Sequence, residues 1–214
     1  MPTHVFFTLL KSKSSQASPG VLEKTFKEHF SASSEQPFDK TLFHFLLGRL
    51  AAVGSRVAVV YCLQILEERP EETDPILRYF AQVGLNLPEL HSLISTAESP
   101  EIILDYQLFQ LLRWFLEHSI ESARVLQLAR KWAYDHNRSP WLRSHSLAYL
   151  GRYGDTADLD TLEQRYSLLS AELEKADYAS ALERLEIGRR NAFYAKAKAD
   201  GDWVRRAIAV VKAS

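Results

Sequence analysis

The residues able to do chemistry are scattered along this chain. Its seven histidines stand at positions 4, 29, 44, 91, 118, 136 and 145. No two of them share the i, i+4 spacing with an intervening glutamate that a helical zinc site needs, and Cys62 is the only cysteine. No metal or cofactor is therefore expected, and Cys62, between Tyr61 and Leu63, reads as a small core residue. There is no Gly-rich phosphate loop and no Gly-x-Ser-x-Gly elbow. Three arginines are each followed five to seven residues later by a histidine. They are Arg113 with His118, Arg130 with His136, and Arg138 with His145.

Basic charge gathers late. From Arg184 to Lys212 eight basic residues face three acidic ones, with Phe193, Tyr194 and Trp203 interleaved. Within this run Arg189, Arg190, Lys196, Lys198, Arg205 and Arg206 are the candidate nucleic-acid contacts, since cations can pair with phosphates while an aromatic ring stacks on a base. The alternative is a solvated helix end whose lysines lie over core aromatics. A net charge of -1 over 214 residues argues against a chain wholly devoted to nucleic acid. The acidic run Glu67 to Asp74 reads as a solvated connector rather than a metal site.

The elements carrying these residues read as helices throughout, because no stretch sustains a period of two. Eight glycines and eight prolines leave little for turn-rich β structure. Ser18-Pro19 opens a helix to about Phe30, and a strongly apolar one runs from about Asp39 to Ala52. Others are expected over Arg56–Glu68, Asp74–Val83, Asn86–Thr96, Ile102–Glu117, Glu121–His136, Asp177–Ala199 and Trp203–Ala213. Between them lies the clearest unit. Ser139-Pro140 is a cap followed by a first-turn proline, the helix leaves through Gly154, and Asp155 or Thr156 caps a helix reaching residue 170. Two such helices form one HEAT-like hairpin. Pairs at 39–68, 74–97, 102–136, 139–170 and 176–213 predict stacked antiparallel hairpins in a right-handed α-solenoid. The organisation expected is a linker at 1–17, a helical part over 18–100 and HEAT-like repeats over 101–214, the last two continuous.

Trp114, Trp132, Trp141 and Trp203 all read as inter-helix packing residues. The stretch Trp141–Leu150 aligns with Trp203–Lys212, each opening a helix with Trp-aliphatic-Arg. On that comparison Arg143 braces a neighbouring helix end. The run Val5–Leu10 is too short for a membrane span, and Gln64 interrupts the apolar stretch near Val57–Leu66, so no membrane segment is expected. A lone cysteine fits a reducing compartment, hence a cytoplasmic location.

The segments Phe38–Leu50, Ala58–Tyr61, Ile76–Phe80 and Asn191–Tyr194, with the hairpin Trp141 to Leu162, resemble the α-helical repeat region that follows the polymerase core in bacterial abortive-infection and defence-associated reverse transcriptases. The resemblance spans most of residues 20–214. The chain holds no Tyr-x-Asp-Asp turn and no adjacent Asp-Asp pair, so no polymerase residue carries over. It implies an accessory, non-catalytic scaffold whose partner is a polymerase core, a nucleic-acid product or a subunit of the same kind. Two alternatives stand beside it. One is a HEPN-like metal-independent RNase, a resemblance that implies an Arg–His pair acting on the 2′-hydroxyl and the scissile phosphate, although that family places a small polar residue after the arginine where this chain has Trp114, Lys131 and Ser139. The other is a regulatory helical-repeat protein that binds only protein.

Overall fold

The computed structural model describes residues 18–30, 37–99, 104–185 and 201–213. Every regular element among them is helical: eleven α-helices and one 3₁₀ turn, with no strand. The 1–17 linker, the 31–36 break and the second half of the helix expected over 177–199 lie outside the described residues. No described helix is long and apolar enough to cross a membrane. The chain divides into two compact units, with residues up to 99 in the first and those from Leu104 in the second.

The first unit holds α1 (Pro19–His29), α2 (Lys40–Ala52), α3 (Val59–Glu68), the 3₁₀ turn Pro70–Glu72, α4 (Thr73–Val83) and α5 (Leu87–Glu98). Caps set the starts where their side chains reach back to open amides. The Asp39 carboxylate accepts from the Leu42 amide at 3.0 Å. Asn86 and Glu89 form a reciprocal capping box at 3.0 and 2.8 Å. The closest helix contacts pair α2 with α4 and α3 with α5, and α1 lies on α2. Phe26, Phe30, Phe43 and Tyr61 meet in this core, with ring centroids 5.3–6.3 Å apart.

The second unit holds α6 (Asp105–Glu117), α7 (Ala123–Ala133), α8 (Pro140–Tyr153), α9 (Thr156–Tyr166), α10 (Glu172–Leu185) and α11 (Asp202–Ala213). The Ser139 hydroxyl caps α8 by accepting from Leu142, and Asp155 with Asp158 makes a second capping box at α9. Helix α8 is the hub, packing on α6, α7 and α10. Its neighbours α6 and α10 run parallel to it. Phe109 lies edge-on to His145 at 4.4 Å, and Arg152 reaches the Leu116 carbonyl at 3.0 Å. On the other side Arg143 approaches Glu174 at 3.9 Å, and Gly151 lies against Ala181. A Cβ on Gly151 would stand 2.7 Å from the Ala181 Cα, so only glycine permits this crossing.

One device recurs in both units. Helices α2 and α6 end alike: Gly54 (φ 67°) and Ser119 (φ 55°) are left-handed, and the next amides, of Ser55 and Ile120, donate to Leu50 and Phe115 carbonyls at 2.9 and 2.8 Å. A buried tyrosine two helices later clasps each turn. The Tyr79 hydroxyl donates to the Ser55 carbonyl at 2.7 Å and accepts from the Ala58 amide at 3.3 Å. The Tyr149 hydroxyl donates to Ile120 at 2.8 Å and accepts from Ser122 at 3.2 Å. Lys40–Ser55 aligns without gaps on Asp105–Ile120, and Leu42/Gln107, Phe43/Leu108, Leu46/Leu111, Leu47/Leu112 and Leu50/Phe115 are buried in both.

Several expectations need correction. The close approaches run between alternate helices (α2–α4, α3–α5, α6–α8, α8–α10) and between α7 and α8 and α9 and α10, not within the hairpins expected at 39–68, 74–97, 102–136 and 139–170; of the expected pairs α10–α11 alone packs as read. The small Gly151 and Ala181 let the parallel helices α8 and α10 approach closely. Helix α3 starts at Val59, not Arg56, because the preceding turn is held open for the Tyr79 hydroxyl. Helix α10 starts at Glu172, five residues before Asp177, and α9 stops at Tyr166, short of 170. Trp141 is not an inter-helix packing residue: it is 71% exposed in the first turn of α8, one residue ahead of the buried Leu142.

Candidate functional site

The three Arg–His spacings do not converge. Arg113 Nε donates to Glu117 at 2.7 Å, while His118 stacks on Trp114 at 4.3 Å and bonds the Trp114 carbonyl. Arg130 binds Asp158 through Nε and Nη2 and Asp155 through Nη2, each at 2.8 Å, tying the end of α7 to the capping box of α9. These bonds, Asp158 foremost, raise the arginine's pKa above its ordinary value. His136 instead accepts from Arg143 Nη1 at 2.9 Å. Arg138 binds Asp105 at 2.9 Å, and the Ser139 amide donates to the same carboxylate at 2.5 Å. Burial disfavours the Asp105 anion, yet those two bonds hold its carboxyl below the ordinary carboxylate range. His145 bonds the Trp141 carbonyl at 3.1 Å, and burial lowers its pKa.

Of the candidate nucleic-acid contacts, Arg189, Arg190, Lys196 and Lys198 lie outside the described residues. Arg205 and Arg206 are exposed on α11, and Arg205 is ion-paired with Asp202. Nothing is described of the Trp203 side chain. Among the described residues no group of three or more His, Cys, Asp or Glu side chains could hold a metal ion. Cys62 is fully buried, which raises its thiol pKa well above the ordinary range. Its thiolate is thus suppressed, as a core role requires.

Two features stand out beyond the expected residues. The first is a cleft of about 310 Å³ between parallel α2 and α4, lined by His44, Leu47, Gly48, Asp74, Arg78 and Tyr79 among others. At its mouth the buried Glu72 carboxylate takes a bond from His44 and an ion pair from Lys40 at 3.0 Å. A histidine oriented by a carboxylate suits proton transfer, but no serine, threonine or cysteine lines the cleft, and the Tyr79 hydroxyl is already bonded to the Ser55 carbonyl and the Ala58 amide. Lys40 and His44 thereby fasten Glu72, which precedes α4, to the first turns of α2.

The second feature is an apolar edge on the second unit. Helices α6, α8 and α10 begin side by side, joined by the Asp105–Ser139 and Arg143–Glu174 contacts. The second residue of each is Tyr106, Trp141 and Leu173, respectively 61, 71 and 64% exposed. Leu104, just before α6, is 64% exposed beside them. Sequence reading missed this row because an aromatic in an amphipathic helix defaults to core. The available signal was position: each of the three sits one residue after the helix start, out of phase with the buried faces.

No family model, no curated protein and no solved structure matches the chain.

Proposed function

We propose that this protein is a non-catalytic helical-repeat binding module, HEAT-like in architecture, that scaffolds a macromolecular partner. The observation that carries the reading is the alternation of packing: α6, α8 and α10 form one parallel layer while the intervening helices pack on the next layer member. The shared turn-and-tyrosine clasp at Ser55 and Ile120 makes the same supersecondary unit in the first half of the chain. In stacked repeats each unit is stabilised by its neighbours, which leaves the outward side chains free to vary for binding.

The resemblance to reverse-transcriptase extensions names a polymerase core as the first partner to test. Nucleic-acid contact through Arg189, Arg190, Lys196, Lys198, Arg205 and Arg206 is a separable part of the reading.

The test is incubation of the full chain with labelled single-stranded RNA in EDTA, followed by retention on the same RNA across a salt series. The RNA should remain intact. Metal-independent cleavage lost in His118→Ala or His136→Ala would overturn the reading in favour of a nuclease. Salt-sensitive retention lost on joint substitution of Arg189, Arg190, Arg205 and Arg206 supports the nucleic-acid part, and unchanged retention in that folded variant removes it.

A further inference from the structure

We infer that the cleft between α2 and α4 holds an arginine side chain presented by a partner protein, its stem over Gly48 and its guanidinium meeting the Ala51 carbonyl and the Gln82 amide oxygen. The inference rests on the binding-module reading and names the chemistry that the first unit recognises. What carries it is the second copy of the same supersecondary unit. The gapless alignment of Lys40–Ser55 on Asp105–Ile120 sets His44, Gly48 and Ala51 against Phe109, Arg113 and Leu116. The shared clasp sets Pro75, Tyr79 and Gln82 against His145, Tyr149 and Arg152.

In the second unit two side-chain contacts bridge the corresponding helices, α6 and α8. Phe109 meets His145 at 4.4 Å. Arg152 donates through Nη1 to the Leu116 carbonyl at 3.0 Å and through Nη2 to the Ser119 hydroxyl at 2.8 Å. The matching residues of the first unit, His44 with Pro75 and Ala51 with Gln82, instead stand on the walls of a cleft of about 310 Å³. Each is smaller than its counterpart, and Gly48 stands where the second unit has Arg113, so that a Cβ there meets nothing within 4 Å. Only Arg78, matched with Ala148, is larger, and it is exposed and turned onto Asp74. The same unit therefore forms with these positions bridged or open, and packing alone does not require the opening.

The second unit also shows what chemistry suits the place. The Ala51 and Leu116 carbonyls are bonded alike within their turns, accepting from Gly54 at 3.0 Å and from Ser119 at 3.2 Å, and Leu116 takes the Arg152 guanidinium as well. Ala51 lies in the last turn of α2, where open carbonyls carry negative partial charge and favour a cation. Gln82 offers an amide oxygen beside it, and a planar guanidinium has donors for both oxygens, whereas a lysine ammonium is a compact point charge. The formal charges at the mouth cancel, since Asp74 pairs with Arg78 and Glu72 with Lys40, so no net charge repels a cation. The cleft volume is at the lower end of the range of about 300–1,000 Å³ for ligand pockets, and the rise from His44 to Ala51 is about 10.5 Å. Those dimensions suit one extended side chain.

The experiment titrates the isotopically labelled full chain with Nα-acetyl-arginine N-methylamide, a blocked arginine residue, and follows backbone amide shifts by NMR. Saturable shifts should centre on Gly48, Ala51 and Gln82. The blocked citrulline, which keeps the shape without the charge, and the blocked lysine should each bind at least fivefold more weakly. Gly48→Leu closes the space without adding charge, and Gln82→Arg supplies the guanidinium from the chain itself; each should weaken binding at least tenfold. Both positions are exposed, so neither variant should unfold at a lower temperature than the parent. Gln64→Arg, at an exposed position of α3 outside the cleft, should bind as the parent does. No saturable shift in the unsubstituted chain, shifts centred elsewhere, equal binding of the citrulline or lysine form, or undiminished binding by either cleft variant would each overturn the inference. Free L-arginine binding tenfold more tightly than the blocked residue would overturn the protein partner and assign the cleft to a free amino acid. The titration uses no RNA and the RNA-integrity test does not involve the cleft, so failure of either leaves the other standing.

Discussion

Two glycines inside helices provide the most discriminating test of this packing, because the same substitution should act with opposite signs. Gly48 lies within α2 on the wall of the α2–α4 cleft, and a Cβ built there meets nothing within 4 Å. Alanine there should stabilise the protein by up to about 1 kcal/mol, the entropic cost of glycine in a helix interior. Gly151 lies at the crossing of α8 and α10, where a Cβ would meet the Ala181 Cα at 2.7 Å, its oxygen at 3.0 Å and its carbonyl carbon at 3.3 Å. These are backbone atoms, so no rotamer change relieves them and one helix must move. Overpacking of this kind costs about 1–3 kcal/mol, against which the helix-propensity gain offsets at most about 1. Gly151→Ala should therefore destabilise by about 1–2 kcal/mol. Ala181→Gly should not rescue it, since the obstructing atoms remain. The assay is urea unfolding followed by circular dichroism, with both variants keeping the parental slope. A Gly151→Ala protein as stable as the parent, or a rescue by Ala181→Gly, would refute the close parallel crossing.

Other outcomes follow from named contacts. Tyr79→Phe and Tyr149→Phe each leave a buried carbonyl and amide without their partner, so each should cost about 1–3 kcal/mol in the same unfolding assay; a neutral effect at both would dismiss the clasp. A double-mutant cycle of Arg130→Ala with Asp158→Ala should give a coupling of about 1–2 kcal/mol, since the pair is bidentate and Asp158 is buried. A coupling near zero would mean that the pair adds nothing. His145 should make stability fall with acidification. Burial lowers its folded pKa, so below about 6.5 the unfolded chain binds a proton that the folded chain resists, and stability is fully present only above that value. Asp177, raised mainly by burial, acts with the opposite sign because its folded form holds the proton more readily. The readout is therefore the difference between the parent and His145→Gln from pH 5 to 7.5, and parallel profiles would rule out His145 as the cause.

Much of the helical layout was legible from local signals. Asp39, Asn86 with Glu89, Ser139-Pro140 and Asp155 each mark a start that their own side chains cap within three residues, so the information is contained in the segment itself. Starts lacking that punctuation were read less well. Helix α3 was placed three residues early because the hydroxyl that holds its entry open belongs to Tyr79, 24 residues from Ser55. Of the candidate sites, the arginines and histidines were visible as residue types, but their bonding to Glu117, Asp158, Asp105 and Arg143 was not, since those partners are chosen by tertiary placement. The Trp141 row was hidden for a related reason. Helix α8 carries buried Ser146 and Gly151 alongside Leu147 and Tyr149, so its apolar residues do not define one stripe from which an outward tryptophan would stand out.

By itself, then, the sequence determined the all-helical class, most helix boundaries and the small-residue character of α8, because these depend on periodicity, caps and propensities that act over a few residues. Tertiary structure alone decided that α6, α8 and α10 pack as neighbours while α7 packs on α8 and α9 on α10, that Tyr79 and Tyr149 clasp corresponding turns, and that α6, α8 and α10 start side by side. Those outcomes require residues about 30 positions apart to meet. An amphipathic pattern states that a helix has a face to bury, but the neighbour that covers it is selected by close approach at sites such as Gly151 and by the pairing of buried hydroxyls and carboxylates.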